Sequence, residues 1–282
     1  MIKITAEQVK QLRDRTGVSM SKCKEALEQS LGDMEGAIDF LRKSGMASAV
    51  KKEGREVNEG LIGFAEAGDL VTVMEVNSET DFVAQNDSFK KFIQDLCFEA
   101  CLSKASSVED LMKQPYSKDP SITIDQYRAL TMQSIGENIQ VKRLLTFTKS
   151  KDLSIGFYSH MGGKIVSAVV LKGASGQEGL AREIAMHVAA ESPDYLSMQE
   201  VAEDVKERER SIARAQVEGK PAAIVEKIIE GKLEAFYKQV CLLDQKFIKD
   251  SARSVAEIVE AEAKKLGSPL FIQSFIRWKI GA

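Results

Sequence analysis

An internal repeat constrains the fold of this chain more than any other feature of its sequence. The tripeptide Ile62-Gly63-Phe64 returns as Ile155-Gly156-Phe157, 93 residues later. In both copies a glycine turn, first Gly68-Asp69 and then Gly162-Gly163, leads to a β-branched run. Glycine turns between such runs are typical of β-hairpins. The sequence therefore predicts two similar lobes, each built on a hairpin.

Each predicted hairpin is followed by apolar residues at helical spacing. The second strands are Leu70–Val76 and Ile165–Leu171, and the helix positions are Phe89, Phe92, Ile93 and Leu96 in one copy and Leu180, Ile184 and Val188 in the other. Between the lobes we predict a loop at 117–121, a helix at 125–134 and a strand at 139–147. Hairpins packed against helices predict an α+β fold with two related core lobes.

The first 50 residues predict a compact module of three short helices. Thr5 and Gln8 form a capping box for the first helix, which ends at Thr16-Gly17. Ser19 is placed to cap the second helix, and the third is predicted to begin after Asp33 and to end at Ser44-Gly45. The inward positions are Val9, Leu12, Cys23, Ala26, Leu27, Ala37, Ile38 and Leu41. The charged residues 51–56 then predict a linker.

The last third of the chain departs from the repeat at residues 199–240. The first part of this segment is rich in charged residues. Val201, Val205 and Ile212 occur there at helical spacing. After a turn at Gly219-Lys220-Pro221, a second helix has a fuller apolar stripe, formed by Ile224, Ile228, Ile229, Leu233, Phe236 and Val240. We predict an antiparallel helical hairpin here and a final strand at 270–280. The expected domains are 1–54, 55–148 and 149–282.

Composition excludes several classes of function. The formal charge of −3 and the lack of a basic cluster argue against a nucleic-acid binder. Two histidines and four cysteines among 282 residues leave few metal ligands and few nucleophile–base pairs. A secretory leader and an apolar run of 18 residues are both missing. We expect a cytoplasmic, reduced protein that binds neither membrane nor cofactor and is not an enzyme.

Few side chains remain that could do chemistry. Cys97 and Cys101 are spaced i, i+4 on a predicted helix, so they could hold a metal, but buried thiols on an apolar face are far commoner. His187 lies in an apolar helix and is expected to be a packed side chain rather than a base. His160 adjoins a glycine-rich turn, where a surface contact and a structural role both stay open.

The connection from residue 77 to 86 is the unusual segment of the first lobe. Phe82 and Val83 stand among polar residues, and the corresponding segment of the second lobe, 172–177, has no aromatic residue. Ser78 and Asp81 could cap a short turn. Two interpretations of Phe82 stay open: it folds back onto the lobe, or it is an exposed apolar side chain that a partner covers.

Several of these segments together resemble a known family. The matching motifs are Leu12-Arg13-x-x-Thr16-Gly17-x-x-Met20-x-x-Cys23-Lys24-x-Ala26-Leu27, Glu75-Val76-Asn77-x-x-Thr80-Asp81-Phe82-Val83-Ala84, Ile135-Gly136-Glu137-Asn138-Ile139, Met186-His187-Val188-Ala189-Ala190, Gly219-Lys220-Pro221 and Phe275-Ile276-Arg277. They are spread along nearly the whole chain. On these motifs the chain is identified as a member of the elongation factor Ts family, the guanine-nucleotide exchange factors of elongation factor Tu.

The resemblance implies a mechanism without bond chemistry. Thr80, Asp81, Phe82 and Val83 would insert between helices of the nucleotide domain of the GTPase and displace elements that hold Mg²⁺, so that GDP leaves and GTP can rebind. Further partner contacts are implied for Val18, Met20, Lys24, Ile135, Gly136 and His160. The N-terminal module would resemble a ubiquitin-associated domain. One-to-one and two-to-two complexes with elongation factor Tu both stay open.

The chain departs from the longer members of the family at its C-terminal end, and a second function also stays open. Longer members have a C-terminal helical module after the last strand, whereas this chain ends at Gly281-Ala282, so the contacts of that module would be absent or replaced. The competing hypothesis is a non-catalytic adaptor that binds helices or nascent chains through the N-terminal module and the hairpin.

Overall fold

A computed structural model describes residues 4–217 and 222–282 of the chain. These residues divide into two compact units. The first comprises Met1–Thr148, Gly162–Lys164 and Lys279–Ala282, and the second comprises Lys149–Met161 and Ile165–Trp278. Helices and sheets occur in both units, which confirms the α+β prediction. The predicted turn at Gly219-Lys220-Pro221 lies outside the described residues.

The N-terminal segment forms three helices, as predicted: α1 (Ala6–Thr16), α2 (Met20–Gln29) and α3 (Met34–Lys52). The capping box of Thr5 and Gln8 is present, and the Asp33 side chain accepts a hydrogen bond from the Gly36 amide. Ser19 precedes α2, but its side chain makes no capping hydrogen bond. The inward residues of the three helices form one hydrophobic cluster, because helices this short need mutual packing to be stable.

Helix α3 does not end at Ser44-Gly45, so that prediction and the linker at residue 51 are wrong. The helix continues to Lys52 and packs against a later helix, where a Cβ at Gly45 would lie 3.6 Å from Cδ2 of Leu130. Ala49 belongs to the core of the first lobe. The glycine thus lies inside α3, at an ordinary contact with another helix, rather than at a helix end.

The first lobe consists of a three-stranded antiparallel sheet covered by helices. Its elements are β1 (Glu59–Ala67), β2 (Leu70–Ser78), α4 (Asp81–Gln85), α5 (Asp87–Ser103), α6 (Val108–Lys113), β3 (Pro115–Tyr116), β4 (Asp119–Thr123), α7 (Ile124–Ile135) and β5 (Ile139–Thr148). The strand order is β1-β2-β5. The loop predicted at 117–121 is instead part of the small β3–β4 hairpin, which was missed because strands of two to five residues leave no periodicity to detect.

The second lobe repeats this order of elements. It contains β6 (Leu153–His160), β7 (Ile165–Lys172), α8 (Glu178–Glu191), α9 (Glu203–Ala215), α10 (Ala222–Val240), β8 (Lys246–Phe247), β9 (Asp250–Ser254), α11 (Val255–Leu266) and β10 (Phe271–Lys279). The strand order β10-β7-β6 matches that of the first lobe, and a second small hairpin, β8–β9, again precedes a capped helix. The internal repeat therefore extends beyond the two hairpins that the sequence revealed.

Helices α9 and α10 are the elements that the first lobe lacks. They contact each other through a small cluster of Ala213, Val217, Ile229 and Leu233. The stripe predicted for α9 is wrong, because Val201 precedes the helix and Ile212 is exposed. The final strand is confirmed as β10, with Ile272 buried in the core of the lobe.

Candidate functional site

The segment between β2 and α5 is short and fully structured. Strand β2 ends at Ser78, α4 covers Asp81–Gln85, and the Asn86 side chain caps α5 by accepting the amide hydrogen of Ser88 at 2.8 Å. A short turn is present as predicted, but Ser78 and Asp81 do not cap it: the Ser78 hydroxyl donates to the carbonyl oxygen of Thr80 at 3.0 Å, and α4 has no side-chain cap. What the sequence suggested as a loop is therefore a single helical turn between two core elements.

Helix α4 has one buried and one exposed side. Val83 and Ala84 are part of the core of the first lobe, whereas Asp81 and Phe82 face solvent. Phe82 is 82% exposed, more than any other large apolar side chain of the described residues. This removes the interpretation in which Phe82 folds back onto the lobe. It also means that Val83, expected to touch a partner, is an anchor of the helix instead.

The start of α4 is attached to the connection between α7 and β5. The Glu137 carboxylate accepts the Thr80 amide hydrogen at 2.9 Å and the Thr80 hydroxyl hydrogen at 2.6 Å. Thr80 is the N-cap residue, yet its side chain does not cap the helix, because the hydroxyl is already engaged. A carboxylate that accepts two hydrogen bonds gives a strong, directional contact.

Two other expected partner residues lie directly before Glu137. Ile135 is half-buried against the core of the lobe, and Gly136 ends α7 with a φ of 97°. The Lys52 ammonium group donates to the carbonyl oxygen of Gly136 at 2.7 Å. Burial, followed by the positive charges of Lys22 and Arg55, lowers the pKa of Lys52. The structure thus brings Ile135 and Gly136 to the same junction as Thr80.

The residues expected in the N-terminal module have different exposures. Val18 is fully buried in the three-helix core, so its side chain supports the module and cannot meet a partner directly. Met20 is 42% exposed at the start of α2. Lys24 is exposed on the same helix, where its ammonium nitrogen lies 3.7 Å from a carboxylate oxygen of Glu28. Met20 and Lys24 are therefore the residues of this group that are open to contact.

His160 lies at the end of β6 and is exposed. Its Nδ1 atom is 3.4 Å from the Tyr158 hydroxyl oxygen, and the two rings stack. Met161 follows with a positive φ of 50° and is 70% exposed. The end of the β6–β7 hairpin therefore presents an aromatic and an apolar side chain to solvent.

His187, in contrast, is completely buried. Its Nδ1 atom accepts the Ile248 amide hydrogen at 3.3 Å, and its Nε2 atom faces the Gln245 side-chain oxygen at 2.9 Å. Burial lowers the pKa of His187, against smaller opposing effects of Gln245 and Glu191. These contacts fit a neutral ring with its hydrogen on Nε2. The prediction of a packed rather than catalytic histidine is supported by this geometry.

The cysteines are also packing residues. All four are free and buried. The Cys101 thiol lies 3.2 Å from the Thr72 hydroxyl oxygen, and burial raises the pKa of Cys97 far above its usual range. Across residues 4–217 and 222–282, histidine, cysteine, aspartate and glutamate side chains form no group of three or more that could hold a metal ion.

One cleft of the first unit is lined in part by charged residues that are already paired with one another. It has a volume of about 690 Å³. Arg42 pairs with Asp119 at 2.8 Å, and Asp95 accepts hydrogen bonds from Lys118, Tyr116 and Tyr127. The cleft therefore offers little unpaired charge for a ligand.

In the part of the chain that the structure describes, no helix is both long and apolar enough to cross a membrane.

Comparison with known proteins decides the family. A model of the family described as Elongation factor TS matches residues 79–282, which is most of the chain and begins at the α4 junction. The chain belongs to the elongation factor Ts family. This membership confirms the identification made from the sequence motifs and makes the protein a translation elongation factor.

Full-length relatives extend the match across the N-terminal module. Elongation factor Ts of Protochlamydia amoebophila (strain UWE25) is 51% identical over 281 residues, with 100% of both chains covered. Elongation factor Ts of Chlamydia muridarum (strain MoPn / Nigg) is 44% identical over 282 residues, and that of Chlamydia felis (strain Fe/C-56) is 43% identical over 282 residues, again with complete coverage of both chains.

Sequence reasoning selected Thr80 to Val83 but missed the residues that hold them. Glu79, Glu137 and Arg55 were not among the expected site residues, although Glu137 lies in one of the family motifs. Thr80 and Glu137 are 57 positions apart, and no periodicity links them. Only the fold brings the two segments together.

Proposed function

We propose that the chain binds elongation factor Tu in its GDP-bound form and promotes release of GDP, after which GTP rebinds. Membership of the elongation factor Ts family supports this function. The observation that carries it is Phe82, an aromatic side chain that is 82% exposed on a helix whose other side is buried in the core. Exposure of an apolar side chain to water is unfavourable in the free protein, and its burial against a partner stabilises the complex.

The proposed mechanism is insertion of the first turn of α4 into the GTPase. Phe82 enters an apolar slot between helices of the nucleotide domain and displaces elements that hold Mg²⁺, which leaves the diphosphate charge poorly compensated. Thermodynamic linkage makes this effect reciprocal: if the chain weakens nucleotide binding by some factor, nucleotide weakens binding of the chain by the same factor. Either nucleotide can therefore displace the chain, and an excess of GTP gives the exchange its direction.

This mechanism needs no bond chemistry from the chain. His187 is held by Gln245 and Ile248 in the core, and the four thiols are buried, so these groups are already used for packing. We therefore propose an exchange factor that is not an enzyme and that acts without a cofactor. Its partner is a protein of the translation machinery, not a nucleic acid or a membrane, and we place the function in the cytoplasm.

We propose that three segments of the chain contact the partner. Residues 1–54 form a ubiquitin-associated-like partner-binding module, which uses Met20 and Lys24. Residues 55–148 form the lobe that carries Phe82, and residues 149–282 form a second lobe that contains the helical hairpin 199–240. In the second lobe His160, at the exposed end of β6, is proposed to meet another domain of the partner. A two-to-two assembly is compatible with this division, as is a one-to-one complex.

The decisive experiment compares GDP release by the chain and by its Phe82→Ala variant. Full burial of a phenylalanine contributes about 1.5–3 kcal/mol. Since 82% of Phe82 is exposed, complex formation can add about 1.2–2.5 kcal/mol of this, or about 8- to 70-fold in affinity. We expect Phe82→Ala to raise the half-saturating concentration of the chain in release of labelled GDP from elongation factor Tu by that factor.

The matched control is Phe271→Ala. Phe271 is 48% exposed on β10 and has no part in the proposed mechanism, so this variant should release GDP like the unaltered chain. Phe82→Ala should unfold at nearly the same denaturant concentration as the parent, because an exposed side chain contributes little to stability. Phe271→Ala should lose about 0.8–1.6 kcal/mol for the buried half of its ring and remain folded. Unchanged release by Phe82→Ala, or equal losses in the two variants, would contradict the proposed insertion.

The adaptor hypothesis is supported by a different observation, the exposure of Met20 and Leu31, at 42% and 72%, on the N-terminal module. A deletion of residues 1–50 is a poor test, because it removes Ala49 from the core of the first lobe. Met20→Glu is sharper. It should abolish ligand capture by an adaptor, whereas an exchange factor should lose affinity for elongation factor Tu and keep its maximal rate of GDP release.

A further inference from the structure

The segment that carries Phe82 is too short to orient itself. Helix α4 has only five residues, and an isolated helix of that length is unstable in water. Burial of Val83 and Ala84 holds one side of the turn. Both anchors follow Phe82 in the helix, so the orientation of the first residues of the turn depends also on what fixes Thr80.

Two carboxylates hold the start of α4 through hydrogen bonds that run in both directions. Glu137 accepts the amide and hydroxyl hydrogens of Thr80 at 2.9 and 2.6 Å. In return, the Glu79 carboxylate accepts the amide hydrogen of Asn138 at 2.6 Å. Each of the two dipeptides, 79–80 and 137–138, thus supplies one acceptor and one backbone donor to the other. We call this four-residue arrangement the carboxylate clasp.

Arg55, in the chain between α3 and β1, closes the clasp from a third direction. The Arg55 guanidinium lies 3.2 Å from a carboxylate oxygen of Glu79, and its carbonyl oxygen accepts a hydrogen from the Asn138 side-chain amide at 2.9 Å. The Glu79 side chain is only 23% exposed, so the guanidinium compensates a charge that is largely withdrawn from water. The clasp therefore joins the chain before β1, the start of α4 and the end of α7.

We propose that Glu137 is a positioning residue for Phe82: its two hydrogen bonds to Thr80 hold the first turn of α4 in the orientation that presents Phe82 to a partner. The inference rests on the proposed exchange function for its effect on GDP release. It makes no such assumption for its effect on the free chain. Without Glu137, α4 samples several orientations, and the apparent affinity for the partner falls with the fraction of the competent one.

The test compares Glu137→Ala with the conservative Glu137→Gln in the full-length chain. A glutamine keeps both bonds, because its oxygen accepts the Thr80 amide hydrogen and its amide group donates to the Thr80 hydroxyl oxygen. The matched control is Glu257→Ala, which removes a carboxylate that accepts the Ser254 amide hydrogen at the start of α11. Hydrogen exchange is measured at the amides of residues 82–86 in the absence of any partner.

We expect Glu137→Ala to accelerate amide exchange in α4 and to raise the half-saturating concentration for GDP release about tenfold, the equivalent of one hydrogen bond to a charged group. The maximal release rate should stay close to that of the parent. The urea midpoint should fall by about 0.5 M, since a tenfold loss corresponds to about 1.4 kcal/mol and the denaturant slope is about 3 kcal/mol per molar. Glu137→Gln should restore most of the loss, and Glu257→Ala should leave α4 unchanged. Unchanged amide exchange in α4 of Glu137→Ala would overturn the inference, whatever happens to GDP release.

A double-variant cycle separates this inference from the proposed function. If Glu137 acts through Phe82, adding Glu137→Ala to Phe82→Ala should change GDP release less than twofold, since coupled residues are not additive. A further tenfold loss in the Phe82→Ala background would show an independent role and refute the positioning. If Phe82→Ala alone has no effect, the proposed insertion fails, while the amide exchange of α4 still decides the role of Glu137.

Discussion

Gly156 lies in β6 where helix α8 crosses the strand, and we predict that Gly156→Ala destabilises the second lobe severely. A Cβ atom at this position would lie 2.1 Å from the backbone nitrogen of Arg182 and 2.3 Å from the carbonyl carbon of Ala181. Its counterpart in the repeat, Gly63, is a matched control. A Cβ there would lie 2.5 Å from Cγ2 of Ile93, a side-chain methyl group rather than backbone.

The two distances lead to different costs. Ile93 is β-branched and stiff at χ1, so relief of the contact at Gly63 requires its side chain to leave the preferred rotamer, which costs about 0.5–1.5 kcal/mol. At Gly156 the obstacle is backbone, and an ordinary contact of 3.4 Å requires α8 to move by about 1.3 Å away from β6, at or above the usual overpacking cost of about 1–3 kcal/mol. Ile184 and Val188 of α8 are core residues, so the whole helix would lose packing.

Urea unfolding measures this difference. Trp278, the only tryptophan of the chain, lies in β10 of the second lobe, so its fluorescence reports unfolding there. With a denaturant slope of about 3 kcal/mol per molar, a loss of about 3 kcal/mol lowers the midpoint by about 1 M. We expect that shift for Gly156→Ala, and for Gly63→Ala a shift of about half that size or less by circular dichroism. Equal shifts for the two variants, or an unchanged midpoint for Gly156→Ala, would refute the reasoning.

Three further predictions follow from buried groups. Burial lowers the pKa of His187, so the unfolded chain binds its proton more tightly, and stability falls as the pH drops below about 6.5, by up to about 1.4 kcal/mol per pH unit. His187→Gln should flatten this dependence in urea titrations, and His160→Gln should not. Arg143 lies 2.6 Å and Lys142 3.6 Å from the fully buried Glu75 carboxylate. Arg143→Ala leaves Lys142 as a remaining cation, so it should cost about 1.5–3 kcal/mol of unfolding free energy, the contribution of a hydrogen bond to a charged group, and Glu75→Gln in the same chain should partly restore this loss. The four buried thiols should react with an aromatic disulfide reagent only after unfolding, and fast reaction of the folded chain would contradict their burial.

Local signals in the sequence were sufficient for much of the fold. The capping box at Thr5 and the glycine turn at Gly68-Asp69 act within four residues, so they could be recognised without knowing the rest of the chain. Both are present in the structure. The repeat of Ile-Gly-Phe has a physical reason that became visible only in three dimensions: in each lobe a helix packs against the strand at the glycine.

Predictions failed where a distant element overrides a local signal. Gly45 is a weak helix former, yet α3 continues through it because the helix packs against α7 and Ala49 lies in the core of the first lobe. Ile212 fits a helical stripe, but the packing of α9 against α10 selects Ala213 and Val217 instead. In both cases the partner surface is separated in sequence from the residue that it constrains.

The sequence by itself determined the α+β class, the two related lobes, the poverty of catalytic groups and the segment around Phe82, since these depend on composition, short-range spacing and recognisable motifs. The tertiary structure decided that Phe82 is exposed while Val83 and Val18 are buried, and that Glu137 holds Thr80. Exposure and long-range hydrogen bonds depend on which surfaces the packed elements cover. Such contacts form between residues that are far apart in sequence, so no local pattern contains them.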